Sequence, residues 1–563
     1  MIMPTPSLDI MPCTLREMIE QSAAQHPDLL ALATIDGERH TYNDVLHRSR
    51  DIAAYLASHG VQPGDRIAII GENSPHWGMT YLGITSMGAV AVPILPDFPA
   101  GDIGRIVRHA EVSGVFVSSR LYEKLDGLSS AETGPVVLLD DFTVIPPGTA
   151  PADVAGSTFR REPALTFSMD QPAPAHAIRQ DDLAVIVYTS GTTGHSKGVM
   201  LTHGNVVADA FGLLQIVDVH PGDRMLSILP LSHTYECTIG LVTPLMIGAT
   251  VYYMQKPPTA AILLPALEQV RPTIMLSVPL IIEKIYKAKI QPELTRTPLL
   301  RKLHSMPFAR KLLHRVAGKK LLKIFGGELR IFAIGGAPLA PDVELFLREG
   351  KFPYAIGYGL TETAPLIAGT SPMFTRYRST GPALPGTALR IADPHPGTGE
   401  GEIQVKGPTV MRGYYRDPER TREVFTPDGW MKTGDLGTME SDGYVFIKGR
   451  LKNMILGPSG KNIYPEELEA IINESDTVRE SVVYEHQNRL VALVHLDYEK
   501  LQKALHQLSE TDIRKKVNGM LADLQKEINE RVPLYARIHK FIEQAEPFQK
   551  TPTQKIKRHL YIP

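Results

Sequence analysis

Between Tyr42 and Val92 the chain changes hydrophobic period from helical to strand-like twice, and that alternation sets the class of fold available to it. Tyr42, Val45, Leu46, Ile52, Ala53 and Leu56 recur at helical spacing until Gly60 and Pro63-Gly64 end the element. Arg66-Ile67-Ala68-Ile69-Ile70 then predicts a strand. Asn73-Ser74-Pro75 predicts a helix start with proline in the first turn, and a second strand is expected at 89–92, after Gly88. Helices alternating with short apolar strands imply a parallel sheet covered by helices. No GxGxxG joins this unit, so a dinucleotide-binding fold is not supported. A chain of 563 residues exceeds one core and calls for three or four structural units.

Another apolar run, Leu183-Ala184-Val185-Ile186-Val187, follows Asp181-Asp182 and predicts a buried strand. It opens directly into Tyr188-Thr189-Ser190-Gly191-Thr192-Thr193-Gly194-His195-Ser196-Lys197-Gly198. Glycines let backbone N–H groups approach an anion, hydroxyls add donors, and the lysine adds positive charge, which equips the loop to hold a polyphosphate. A Gly/Thr hairpin is the plainer reading of the same residues. The stretch is not the mononucleotide P-loop. Ser196 stands where that motif has its second glycine, and Gly198 where it has Ser or Thr.

Composition narrows the partners. A net charge of −2 and a pI near 6.8 give no footing for a nucleic-acid binder. Two cysteines, Cys13 and Cys237, argue against a disulfide framework and fit a reducing compartment. The first residues lack the basic and apolar regions of a secretory signal, so a cytoplasmic location is expected. Residues 237–255 are uncharged and long enough to question as a membrane span, but Gly240, Pro244 and Gly248 divide them better into a helix and a strand at 249–253.

Further along, residues 145–174 are rich in Pro, Ala and Gly and predict a long surface connection. Between Lys284 and Lys323, twelve Lys and Arg face one acid, Glu293, with leucines at 299, 300, 303, 312, 313, 321 and 322 interleaved. Basic amphipathic helices are expected there. Such a face can be merely solvated, or it can meet an anionic membrane surface, a polyphosphate or an acidic partner. After about residue 371, short strands between Gly/Pro turns predict a small barrel or sheet. From Gly460 a smaller α+β unit follows, with a helix starting near Pro465-Glu466-Glu467 and a strand at 490–494.

Three later motifs carry chemistry. Tyr358-Gly359-Leu360-Thr361-Glu362-Thr363 offers an aromatic face, a close-approach glycine, hydroxyls and one carboxylate. Glu362 can hold Mg²⁺ beside a phosphate loop or can simply favour a helix start. Gly335-Gly336-Ala337-Pro338 ends a strand with two glycines, where a flat ring could lie against backbone. Asp435, in Thr433-Gly434-Asp435, can accept from a ribose diol or serve only the turn.

In order, these motifs resemble the adenylate-forming superfamily of acyl-CoA synthetases, luciferases and peptide-synthetase adenylation domains. Leu229-Pro230-Leu231-Ser232-His233-Thr234-Tyr235-Glu236, Gly449-Arg450-Leu451-Lys452 and Thr551 to Arg558 complete the set, and the first of these looks most like long-chain fatty acyl-CoA synthetases. The resemblance implies an α/β chain with a large N-terminal domain over 1–449. That domain would comprise α/β halves with parallel-type sheets at about 1–180 and 181–370 and a β-barrel unit at about 371–449. A hinge at 450–452 and a small mobile α+β domain at 453–563 would follow.

Residue by residue, the resemblance implies that Thr189, Ser190, Gly191, Thr192, Thr193, Gly194 and Lys197 cradle the β- and γ-phosphates of ATP. Gly336, Ala337, Pro338 and Tyr358 would enclose the adenine, Gly359 would also belong to the nucleotide site, and Thr361 would bind the α-phosphate. Glu362 would hold Mg²⁺, and Asp435 and Arg450 the ribose. Lys555 would bridge the α-phosphate and the attacking carboxylate; with Thr361, Glu362 and Lys197 it forms the expected catalytic set. His233, Gly335 and Gly357 are acyl-pocket candidates, with a packed core role equally open to His233. Lys452 would be the hinge, with Gly460 and Gly457-Pro458-Ser459 lining a CoA tunnel.

The expected activity is ATP-dependent ligation of a medium- or long-chain fatty acid to CoA, with peripheral contact to the inner membrane face through 284–323. An acyl carrier protein as acceptor and an aromatic acid as substrate are the alternatives within the enzyme class, and a non-catalytic acyl or nucleotide sensor is the alternative outside it. Two departures stand out. Ser196 replaces the proline that relatives commonly have before the loop lysine. The tryptophan that gates the acyl tunnel in some long-chain relatives is missing near His233, since the tryptophans are Trp77 and Trp430.

Overall fold

The computed structural model describes residues 12–155, 165, 176–189, 196–254, 258–456, 462–487, 489–505, 509–551 and 555–562. The alternation read from residues 42–92 is present. Thr41 and Asp44 cap the helix Tyr42–Ser58 reciprocally, and the Ser74 hydroxyl caps Pro75–Ser86. The strands Arg66–Ile70 and Val90–Ile94 pair in parallel.

Two large sheets carry the N-terminal domain. The first has eight strands in the order Gly413–Tyr414, Lys197–Thr202, Leu183–Thr189, Val90–Ile94, Arg66–Ile70, Val112–Val117, Val136–Leu138 and Val144–Ile145. The second has seven, in the order Tyr354–Ile356, Ile331–Ile334, Ile274–Ser277, Arg224–Ser227, Thr250–Tyr253, Leu30–Thr34 and Arg39–Thr41. All neighbours in the second sheet are parallel except the last pair.

These orders correct the expected division at residue 180. Leu183–Thr189 joins the first sheet through Ala91 and Val185, while Leu30–Thr34 crosses over to pair with Thr250–Tyr253 in the second. Strand pairing is non-local, and the residues between two strands do not record which sheet each will join. One buried cluster accordingly runs through both halves, from Leu15 and Trp77 to Leu241, Tyr358 and Val445. Residues 145–174 are also more than a surface connection at their start, where Val144–Ile145 is a strand and Pro151–Ala155 a helix that buries Val154.

The β-rich unit is a four-stranded antiparallel sheet, Ala388–Ala392, Gly401–Lys406, Met431–Met439 and Val445–Arg450. Beyond it, Val478–His486, Arg489–Leu496 and Lys540–Glu543 form the sheet of the C-terminal unit, packed with the helices Pro465–Asn473 and Glu510–Arg531. Among the contacts that dock this unit on the rest, Tyr464 Oη donates to Glu400 (2.8 Å), Lys287 Nζ donates to the Asn473 carbonyl, and Lys448 Nζ stands 3.9 Å from Glu467. Among the described residues, no helix is long and apolar enough to cross a membrane.

The uncharged stretch at 237–255 resolves into a π-helix, Tyr235–Val242, continuing as Thr243–Met246, and then the strand Thr250–Tyr253. The wider π turn carries Glu236, which is 1% exposed. A side chain at Gly240 would stand 2.8 Å from the Glu236 Cδ, so the glycine makes room for the carboxyl group. Burial pushes this carboxyl up to about 8 against an opposing contact with Ser227. Between its ordinary value near 4.5 and about 8, the folded chain holds a proton that the unfolded chain releases, so this residue makes stability fall as pH rises through that window. Denaturant melts at pH 5, 6.5 and 8 are expected to show a shallower loss of stability in Glu236→Gln than in the wild type; superimposable pH profiles would refute the neutral-carboxyl account.

Candidate active site

The site is assembled where the two sheets and the β-rich unit meet. Strand Leu183–Thr189 pairs antiparallel with Lys197–Thr202, bringing Thr189 opposite Lys197 at the end where residues 190–196 join the two strands. Ser190, Gly191, Thr192, Thr193 and Gly194 lie outside the described residues.

Residues 411–415 sew this hairpin to the 361–363 turn. Gly413–Tyr414 pairs with Met200 and Val199, the Tyr415 N–H donates to the Gly198 carbonyl (2.7 Å), and the Met411 N–H donates to the Glu362 carbonyl (2.9 Å). Three side chains converge as a result. Tyr414 Oη donates to Glu362 Oε1 (2.9 Å), and Lys197 Nζ stands 4.8 Å from the centre of the Tyr414 ring. The sequence reading did not single out Tyr414; its place in Arg412-Gly413-Tyr414-Tyr415 resembles ordinary strand composition. Burial raises its hydroxyl pKa, as does the Glu362 charge, so it remains a donor to that carboxylate.

The turn Thr361–Thr363 follows Tyr358–Gly359, which pairs antiparallel with Leu366–Ala368. A Cβ at Gly359 would fall 1.8 Å from the Pro365 carbonyl oxygen, so only glycine lets the two strands close. Asp209, fully buried on the helix His203–Leu214, accepts the Leu366 N–H at 2.9 Å and fixes the far side of this loop.

Asp435 is 3% exposed and is bound on both oxygens. Tyr358 Oη donates to Oδ2 at 2.7 Å and Arg450 Nε to Oδ1 at 2.9 Å. Asp435 and Arg450 face each other across strands Met431–Met439 and Val445–Arg450. Burial raises the Asp435 pKa, while Arg450, Tyr358 and Lys555 favour its charge. Gly336, Ala337 and Pro338 form an exposed shelf after strand Ile331–Ile334.

Lys555 comes from the C-terminal unit. Beside it, the Thr551 N–H donates to the Lys555 carbonyl (2.8 Å), and Lys550 pairs with Ile556. Lys555 stays exposed, yet desolvation lowers its pKa, as does Arg450, while Asp435 and Glu362 favour the ammonium. The lysine therefore stands within electrostatic reach of Arg450, Asp435 and Glu362, three of the expected site residues. Lys452 is exposed in the Leu451–Asn453 turn at the junction, and Gly460 lies outside the described residues.

Beside the 361–363 turn lies an apolar cavity. Its walls are apolar apart from Tyr235, Thr243 and Thr370, and include Leu213, Ile239 and Ile356. Gly357 lines it as expected. Gly335 and His233 do not, although both touch Tyr235, which does. A Cβ on Gly335 would meet the Tyr235 ring at 3.3 Å, and His233 Nδ1 accepts the Tyr235 N–H at 3.2 Å. Burial, with Lys555 adding to it, pushes His233 down to about 4, so the imidazole is neutral at physiological pH. The sequence could not place the wall because side chains from seven separate segments between 213 and 370 compose it.

Residues 19–415 match the family described as AMP-binding enzyme. The long-chain-fatty-acid–CoA ligase FadD15 of Mycobacterium bovis is 30% identical over 502 residues, covering 82% of this chain and 78% of that one. The 4-coumarate–CoA ligase 1 of Petroselinum crispum is 29% identical over 468 residues, covering 79% and 77%. The crystal structure of an ATP-bound RpMatB-BxBclM chimera B1 superposes with a TM-score of 0.76 at 25% identity, covering 98% of both chains. The chain belongs to the AMP-binding enzyme family and is an AMP-forming acyl-CoA synthetase.

Proposed function

We propose that the acid is a medium- or long-chain fatty acid, with CoA as acceptor. The observation that carries this reading is the apolar lining of the cavity beside the Tyr358–Glu362 segment, where Leu213, Ile216, Ile239 and Ile356 offer an aliphatic chain contacts with few polar partners. A carboxylate oxygen attacks the α-phosphorus, the bond to the bridging oxygen breaks, and pyrophosphate leaves. The thiol sulfur of CoA then attacks the acyl carbonyl, releasing AMP and the thiol proton. Both partners of the first step are anions, so fixed cations and donors supply most of the catalysis.

In this reading Thr189 and Lys197, with residues 190–194 between them, hold the leaving pyrophosphate, and Lys555 holds the α-phosphate and the attacking carboxylate together. Thr361 donates to the α-phosphate. Asp435 and Arg450 hold the ribose, and Tyr358 flanks the adenine while its hydroxyl remains on Asp435. The Glu362 carboxylate, steadied by Tyr414 and beside Thr361, is an all-oxygen donor set that suits Mg²⁺. When bound, the ion would offset charge on the leaving pyrophosphate. Lys452 serves as the hinge that withdraws Lys555 before thioester formation, and the docked C-terminal unit corresponds to the first half-reaction.

The same reading gives the basic helices a surface role. In Pro307–Ile324 the inner face is anchored: Arg310 Nη2 donates to Glu349 at 2.9 Å, and Leu321 is buried. On the outer face Phe308 is 87% exposed, Leu312 61% and Val316 53%, flanked by exposed Lys311, Arg315 and Lys319. An apolar stripe at four-residue spacing between cations fits the surface of an anionic bilayer.

Two measurements test these readings. In a panel of carboxylic acids with and without CoA, aliphatic acids of medium to long chain are expected to give the fastest AMP release, with thioester formed when CoA is present. Preference for aromatic acids would overturn the substrate, and adenylate accumulating despite CoA would overturn the acceptor. In vesicle flotation, the wild type is expected to bind anionic vesicles. Lys311→Glu with Arg315→Glu should cost roughly 2 kcal/mol, on the order of thirtyfold in binding. Equal binding by both proteins would remove the membrane role.

A further inference from the structure

We infer a second, separate metal site, formed by Glu38, His40 and His76, for a divalent transition ion of the Zn²⁺ class. Glu38 ends the turn between strands Leu30–Thr34 and Arg39–Thr41, His40 lies on the second of these strands, and His76 is in the first turn of the helix Pro75–Ser86. One carboxylate oxygen, Glu38 Oε2, faces His40 Nε2 at 3.3 Å and His76 Nε2 at 3.4 Å, and the three ligand atoms lie within 4.8 Å of one another.

Glu38 Oε2 and His40 Nε2 can share a long hydrogen bond, and two features also suit the cluster to a metal ion. The first is distance. Charge-assisted N–H···O contacts run at about 2.7–2.9 Å, whereas two ligands bonded at about 2.0–2.1 Å to one tetrahedral ion stand about 3.3 Å apart. Both contacts here have the length of a tetrahedral edge. The second is the tautomer of His76. Its Nδ1 contacts the Leu139 carbonyl at 2.7 Å, and an acceptor there requires Nδ1–H. In the neutral ring Nε2 then presents a lone pair to a carboxylate oxygen, and a bound cation would resolve that repulsion as well as protonation of the ring would. Backing of one imidazole nitrogen by a carbonyl is also how metal-ligating histidines are oriented.

The donor set chooses the ion. Two imidazoles and one carboxylate favour zinc and its first-row neighbours over Mg²⁺ or Ca²⁺, which take oxygen. The His side chains are 10% and 13% exposed and that of Glu38 is 49% exposed, so a fourth position is open to water. Arg48 stands within electrostatic reach, and its charge weakens cation binding at the site. The ion joins two layers: Glu38 and His40 belong to the edge of the second sheet, and His76 to a helix covering the first. Three residues before His76, Asn73 Nδ2 donates to the Leu229 carbonyl (2.6 Å), and Asn73 Oδ1 accepts the Leu231 N–H (2.8 Å). The metal thus acts as a staple across the seam beside the segment that leads to His233.

The test uses full-length protein stripped with a chelator and titrated with Co²⁺ and Zn²⁺ in the absence of ATP. One equivalent of Co²⁺ should bind with the visible absorption of a four-coordinate site, Zn²⁺ should displace it, and Zn²⁺ should raise the melting temperature. Glu38→Gln, in an exposed turn, and His76→Gln should each bind on the order of tenfold or more weaker and lose the thermal shift. Glu362→Gln should retain both. Absence of stoichiometric Co²⁺ binding in the wild type, or binding unchanged in Glu38→Gln and His76→Gln, would overturn the site.

Discussion

The buried carboxylate of Asp435 is the point on which the rest of the site depends. A carboxylate taken out of water must be compensated, and here the compensation comes from three different parts of the chain. Tyr358 reaches it from the end of the second sheet, Arg450 from the facing strand of the β-rich unit, and Lys555 adds its field from the C-terminal unit. Arg450 is also the last residue of its strand before the junction at Leu451–Asn453. The group proposed to hold the ribose therefore also lies in the field of a lysine from the C-terminal unit. Glu362 repeats the pattern, held by Tyr414 from a strand that belongs to the first sheet.

The interleaving of the two large sheets explains how such distant residues come together. Strands from the N-terminal segment complete the second sheet, and strands from 183–202 and 413–414 complete the first. No half of the N-terminal domain can close its sheet without the other, so the seam between them is a permanent part of the core. The π-helix Tyr235–Val242 lies at this seam. It turns Tyr235 and Ile239 toward the apolar cavity and buries Glu236 on another face. The cavity wall and the polar cleft are thus set by one element, with His233 held neutral at the join.

Local signals were the legible part of the sequence. The helix starts at Thr41 and Ser74, the strand before the Gly/Thr loop and the division of 237–255 all follow from spacing and turn chemistry within a few residues. Asp435, Arg450, Glu362 and Lys555 were singled out as motif residues; the structure pairs Asp435 with Arg450 and sets Lys555 within electrostatic reach of both and of Glu362. Partnership across the chain was not legible. Tyr414 looks like any strand tyrosine until the pairing of Gly413–Tyr414 with Lys197–Thr202 places it over Lys197 and against Glu362. His233 has the composition of a pocket residue, yet its ring serves the Tyr235 backbone. The division at residue 180 failed for the same reason, because strand order is decided by which apolar faces meet and not by proximity in sequence.

The central claim is that the chain makes an acyl-adenylate by bringing Lys555 from the C-terminal unit to two anions held by the N-terminal domain. Acid-dependent exchange of labelled pyrophosphate into ATP, measured without CoA, isolates that step. The wild type is expected to exchange, and Lys555→Ala should lose exchange on the order of a hundredfold or more while binding ATP within a few-fold of the wild type. Undiminished exchange in Lys555→Ala would contradict the account.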